Sequence, residues 1–143
     1  MQPHRVAVVA FDRISPFHLS VPCLVFGDFA PSAQAYELRV CAAEPGPLRT
    51  TAGFELAVGH GLEALDSAQT IIVPSWRDPQ ERPPQVLLDA LVAAHRRGAL
   101  LVGLCLGAYV LAEAGLLDGR RATTHWALAR DFAARYPQVR VEP

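Results

Sequence analysis

Lysine and asparagine are absent from this chain, and all thirteen of its basic residues are arginines. The arginines are scattered, which reads as a coding-composition bias, and the formal net charge is -1. That balance excludes a basic face of the kind that grips nucleic acid or an anionic membrane surface. Charge of either sign is modest at 19%, against 51% hydrophobic residues, which excludes an intrinsically disordered segment. Cysteine is scarce too. Three residues without framework spacing exclude a disulfide-stapled secreted domain and point to the cytoplasm. Cys23 and Cys41 lie in apolar runs and read as core residues. No apolar run approaches the roughly 20 residues that span a bilayer. Met1 to Arg5 lead straight into a strand, without the pattern of a signal peptide. There is no Cys/His pair at ligand spacing, no phosphate loop and no dinucleotide fingerprint, so neither a metal nor a cofactor is expected.

What is present is alternation. Residues 6–11, 70–73 and 99–104 are short apolar runs without polar interleaving, the signature of strands buried on both faces. Residues 36–43 read as another strand, 48–58 as a small hairpin interrupted by Gly53, and 139–141 as a final strand. Between them, residues 17–29, 85–97, 106–114 and 126–135 carry helical spacing, and Gly98 and Gly115 supply stop signals. Strands alternating with helices predict an α/β domain with a mainly parallel sheet covered on both faces. The 143 residues suit one such domain. Because Pro143 falls where the last strand begins, the expectation is a domain whose C-terminal part is missing.

Gly103-Leu104-Cys105-Leu106-Gly107 carries the strongest chemical signal. It is a G-x-nucleophile-x-G pattern between a buried strand and a helix. Such an elbow strains the backbone at Cys105 and presents its sulfur at the carboxyl edge of the sheet, where open α/β sheets bind ligands. A buried cysteine in a glycine-flanked turn is the competing reading. His125, after the turn that closes the next helix, is the best candidate for base or orienting group, and as easily a helix-start residue without a role. His18, on the first helix, is a second candidate beside its reading as a capping residue. His4, His60 and His95 read as surface residues without partners. Pro74-Ser75-Trp76 also follows a buried strand. Backbone N–H groups there, with those of Leu106 and Gly107, could hold an anion or a carbonyl oxygen. A plain loop with a packing Trp is equally compatible.

These residues, taken together, resemble the ThiJ/PfpI superfamily, the class I glutamine amidotransferase-like proteins. The stretch from Gly115 to Trp126, GLLDGRRATTHW, and the segment Val73-Pro74-Ser75-Trp76-Arg77-Asp78 resemble one branch in particular, the amidase-type AraC-family transcriptional regulators. The resemblance implies a flavodoxin-like three-layer sandwich over residues 1–143, usually dimeric. It also implies DNA binding only through a C-terminal helix-turn-helix domain outside this chain. Enzymes of the superfamily place a carboxylate four residues before a proline in the first helix, where this chain has His18 before Pro22. PfpI-type proteases put His directly after the cysteine, where this chain has Leu106, and no His has Glu two residues on.

Three functions are compatible with that pattern. The leading one is a sensor domain of an AraC-family regulator that binds a small metabolite, one with a carboxylate or amide, near Cys105. The second is a cysteine-dependent amidase, isonitrile hydratase or deglycase-like enzyme. It would use Cys105 as nucleophile, His125 as base, and Ser75 and Leu106 amides for the oxyanion. The third is a domain serving only in dimerisation.

Overall fold

A computed structural model describes residues 2–28 and 35–142 of the chain. Its centre is a four-stranded sheet in the order β2–β1–β5–β6, from β1 (His4–Ala10), β2 (Tyr36–Ala42), β5 (Thr70–Val73) and β6 (Leu100–Gly103). Every neighbouring pair is parallel, with Val6 opposite both Leu38 and Thr70, and Val73 opposite Gly103. The apolar runs become strands here because helices lie on both faces, so most residues of the pleat find an apolar partner. Ala7, Val9, Ile71 and Val73 face α2 (Gln85–Arg96) and α3 (Gly107–Glu113). Val6, Val8 and Ile72 face the other way, towards Leu19 and Phe26 of α1 (Pro16–Phe26).

Helix α2 buries Leu87, Leu88, Leu91 and Ala94, one stripe at helical period. Helix α1 is less complete. Phe17, Leu24 and Val25 are exposed, and an apolar groove of about 640 Å³ runs from Val21, Pro22 and Val25 to Leu100, Val102 and Leu104. Pro22 has no N–H to offer the His18 carbonyl, so the α1 ladder is opened where His18 sits.

The expected hairpin is present as β3 (Leu48–Arg49) against β4 (Glu55–Leu56), turning at Gly53 with φ 81°. The chain end departs from expectation. Residues 126–135 form a 3-10 turn (Trp126–Leu128) and then α4 (Ala129–Arg135) instead of one helix. The last strand, β8 (Arg140–Val141), pairs in parallel with β7 (Arg121–Ala122) in a separate two-stranded sheet. Residues 121–124, RATT, carry no apolar run that would have flagged β7. Helix α1 ends at Phe26, where the Gly27 N–H closes on the Cys23 carbonyl at 2.9 Å. Phe29, expected in this helix, lies outside the described residues.

Candidate functional site

The chain order of the sheet reverses between β1 and β5, so the segments after these two strands diverge and leave a crevice at their carboxyl ends. Phe11, Asp12 and Arg13 leave β1 there, Pro74 to Arg77 leave β5, and Cys105 follows β6. Trp76 is 2% exposed, sits 5.0 Å from the Phe11 ring, and donates its indole N–H to the Glu81 carbonyl at 2.9 Å. The Arg77 guanidinium lies 4.4 Å from the Trp76 ring centre. It is held by Glu44 at 2.6 Å and Glu81 at 2.5 Å, while donating to the Asp12 carbonyl at 3.2 Å. The Asp12 carboxylate takes the Arg49 side chain at 2.5 Å and the Arg49 N–H at 2.8 Å. Those bonds hold the Asp12 carboxyl well below the usual range. The Arg77 bond also lowers the Glu81 carboxyl, to which Arg13 adds a second contact at 2.8 Å.

Cys105 has φ 52°, the left-handed region that costs a side-chain-bearing residue about 1–2 kcal/mol. Three contacts hold it there. Gly107 N–H donates to the Leu104 carbonyl at 2.7 Å, Leu104 N–H to the Val73 carbonyl at 3.0 Å, and the Thr124 hydroxyl to the Cys105 carbonyl at 3.0 Å. The flanking glycines are not in the left-handed region. They are there for space: a Cβ on Gly107 would stand 2.1 Å from the Val73 carbonyl oxygen, and one on Gly103 would stand 3.0 Å from the Gly107 backbone. The tight turn is therefore made by the cysteine itself, and the glycines let α3 approach β5 and β6.

A cavity of about 440 Å³ opens over this elbow. Cys105, Leu106, His18, His125, Ser75 and Trp76, all singled out in the sequence, line it. Gly107 does not; it is buried behind the elbow and its N–H is spent on Leu104. Arg13, Ser15, Thr51 and Arg77 complete much of the remaining wall and were not expected from the sequence. Among the described residues, no hydrogen bond joins the Cys105 sulfur to either imidazole. His18 Nδ1 is paired with the Ser15 hydroxyl at 3.0 Å. His125 is exposed, stacks on Trp126 and accepts the Ala127 N–H at Nδ1 (3.1 Å), so its neutral ring carries the proton on Nε2. The Ser75 and Leu106 N–H groups have no acceptor among the described residues.

Two smaller expectations change, for His4 and Cys23, and the one for Cys41 holds. His4 is not partnerless, since Nε2 meets the Thr70 hydroxyl at 2.8 Å. Cys23 is only half buried, being on the incompletely covered helix α1. Cys41 is fully buried, and burial pushes its thiol up to about 12.

Residues 4–140 match the model of the DJ-1/PfpI family. The chain belongs to that family. A protein of the cpoL 5′ region of Streptomyces lividans is 34% identical over 137 residues, 94% of this chain and 96% of that one. The HTH-type transcriptional regulator CdhR of Pseudomonas aeruginosa is 37% identical over 109 residues, which cover 76% of this chain but only 32% of the regulator. Isonitrile hydratase of Pseudomonas putida is 32% identical over 125 residues, 86% of this chain and 53% of the enzyme. Among solved structures, an AraC family transcriptional regulator from Pseudomonas putida superposes with a TM-score of 0.78 at 25% identity. That match spans 99% of this chain and 77% of that one. A ThiJ/PfpI family protein from Pseudomonas syringae, at 20% identity and a TM-score of 0.79, shares the fold. The DJ-1/PfpI relatives thus include several HTH-type regulators, and the parallel sheet with flanking helices is the flavodoxin-like fold of the family.

Proposed function

We propose that this domain is the ligand-sensing part of an AraC-family transcriptional regulator, binding a small carboxylate- or amide-bearing metabolite over Cys105. The observation that carries this reading is the lining of the 440 Å³ cavity: a cysteine, two imidazoles and hydroxyl groups, with no carboxylate beside the sulfur. The size suits a metabolite. The missing acid removes the group that would orient a base or hold a proton for turnover. DNA contact belongs to a helix-turn-helix domain outside residues 1–143, a homodimer is the assembly the resemblance implies, and the compartment is the cytoplasm. Among the described residues no helix is long and apolar enough to cross a membrane.

Thermal unfolding against a panel of small carboxylates and amides tests this. A binder at about 100 times its Kd stabilises by about 2.7 kcal/mol, and Cys105→Ala keeps a measurable stabilisation because no covalent step is needed. If no compound in the panel raises the melting temperature, the sensor reading fails.

The identity with isonitrile hydratase supports a second reading, a cysteine-dependent hydratase or hydrolase. Cys105 would attack the substrate carbon, His125 would move the proton, and the Ser75 and Leu106 N–H groups would face the developing negative charge. Turnover of an isonitrile, abolished by Cys105→Ala, would favour that reading over the first.

A further inference from the structure

Among the described residues, only two other than glycine hold a left-handed backbone, Arg13 (φ 66°) and Cys105, and both line the same cavity. A strained residue persists where its surroundings over-determine it, and such residues gather at sites that bind or react. Arg13 is fixed by its own N–H on the Arg49 carbonyl at 2.7 Å, and Arg49 is in turn clamped by Asp12. The backbone is therefore built to aim this side chain.

The charges show what it is aimed at. Arg13 and Arg77 are on the cavity wall and no Asp or Glu is, because the partner carboxylates Glu44 and Glu81 stand outside the lining. Each ion pair turns its positive end inward. The two arginines are not equivalent. Arg77 is 9% exposed, and its Nε, Nη1 and Nη2 are all engaged, on Glu44, Glu81 and the Asp12 carbonyl. Arg13 is 50% exposed and engages only Nη2, on Glu81 Oε1, while Glu81 keeps Arg77 through Oε2. Releasing Arg13 strands no charge, and the half-exposed pair it leaves is weak. Its planar fork matches a carboxylate with two parallel N–H bonds.

We infer that Arg13 is the carboxylate-anchoring arm of the Cys105 cavity, and that the ligand is a small carboxylate in preference to the matching carboxamide. This rests on the reading of the cavity as a small-molecule site.

Iodoacetate and iodoacetamide differ only in that group, and both alkylate a thiolate with loss of iodide. Their rates are to be compared by peptide mass spectrometry at Cys105 and, in the same native chain, at Cys23, which does not line the cavity. The iodoacetate-to-iodoacetamide ratio at Cys105 is expected to exceed that at Cys23 by about fivefold, the effect of one modest ion pair. Arg13→Gln brings it down to the Cys23 value, and Arg13→Lys, which keeps the charge without the fork, falls between. Taking a ratio cancels any change in thiolate population, and a melting curve confirms that each variant is folded. Equal ratios at the two cysteines, or a Cys105 ratio unmoved by Arg13→Gln, overturn the assignment while leaving the cavity a binding site. Failure of both reagents at Cys105 while Cys23 reacts overturns the small-molecule site as well.

Discussion

Replacing Gly107 by Ala tests why the elbow has its shape. The added Cβ stands 2.1 Å from the Val73 carbonyl oxygen, about 1 Å inside the 3.0 Å at which real contacts begin. That oxygen cannot retreat. It belongs to a fully buried strand residue and already accepts the Leu104 N–H at 3.0 Å. Helix α3 must lift instead, drawing buried Val110 and Leu111 away from the core that also holds Val73 and Leu91. Overpacking of this kind costs 1–3 kcal/mol and sometimes more, and the absence of slack on either side puts this case at about 3 kcal/mol. For a chain of this length that is roughly 10 °C in Tm. Gly98→Ala is the control. Its φ is 102° but nothing lies within 4 Å, so only backbone strain of about 1–2 kcal/mol is added. Urea unfolding followed by circular dichroism reads both, with an unchanged m-value securing the comparison. A Gly107→Ala protein within about 1 kcal/mol of the parent would refute the close-approach argument, because the strand and helix would then have room the geometry denies them.

Acid weakens the ion pairs of the cavity rim. Asp12 and Glu81 are held below their ordinary values of 3.8 and 4.5 by Arg49 and Arg77, so their contribution is complete above about pH 5 and is lost as pH falls. The Tm should fall from about pH 5 downward and go on falling below pH 3, and Asp12→Asn should flatten that fall; an equally steep fall would discount the pair. Thr124→Val removes the hydroxyl from the Cys105 carbonyl and is expected to cost about 1 kcal/mol in urea unfolding, with a changed rate of Cys105 alkylation by iodoacetamide. A cost near zero with an unchanged rate would mean that the elbow holds without it. Cys41, fully buried with its thiol at about 12, should resist a disulfide reagent at pH 8 until the protein unfolds, whereas Cys23 should react in the native state. Labelling of both at one rate would contradict the core assignment.

The strands and the elbow were legible because their signals are local. A fully buried strand needs an unbroken apolar run, and residues 6–11 and 70–73 supply one. Gly103 and Gly107 bracket Cys105 within five positions. The rest of the site is made by contacts between distant segments. Arg13 meets Glu81 across 68 positions and Arg77 meets the Asp12 carbonyl across 65, and nothing in the run Phe11-Asp12-Arg13-Ile14 marks an arginine for a left-handed backbone. The one usable clue was topological: whatever follows β1 stands beside whatever follows β5. The end of the chain departs from its helical spacing because that spacing, from Trp126 onward, takes no account of His125, whose ring caps the Ala127 N–H and shapes a tight first turn.

The left-handed backbone at position 105 is held without help from the cysteine side chain. The bonds are to its carbonyl and to its neighbours, and the steric fit belongs to Gly107 and Val73. The elbow is thus a socket that is indifferent to its plug. Glycine or asparagine would sit there with less strain than cysteine does. One codon can then add or remove the thiol while the backbone of the elbow, the cavity arginines and the rim stay as they are.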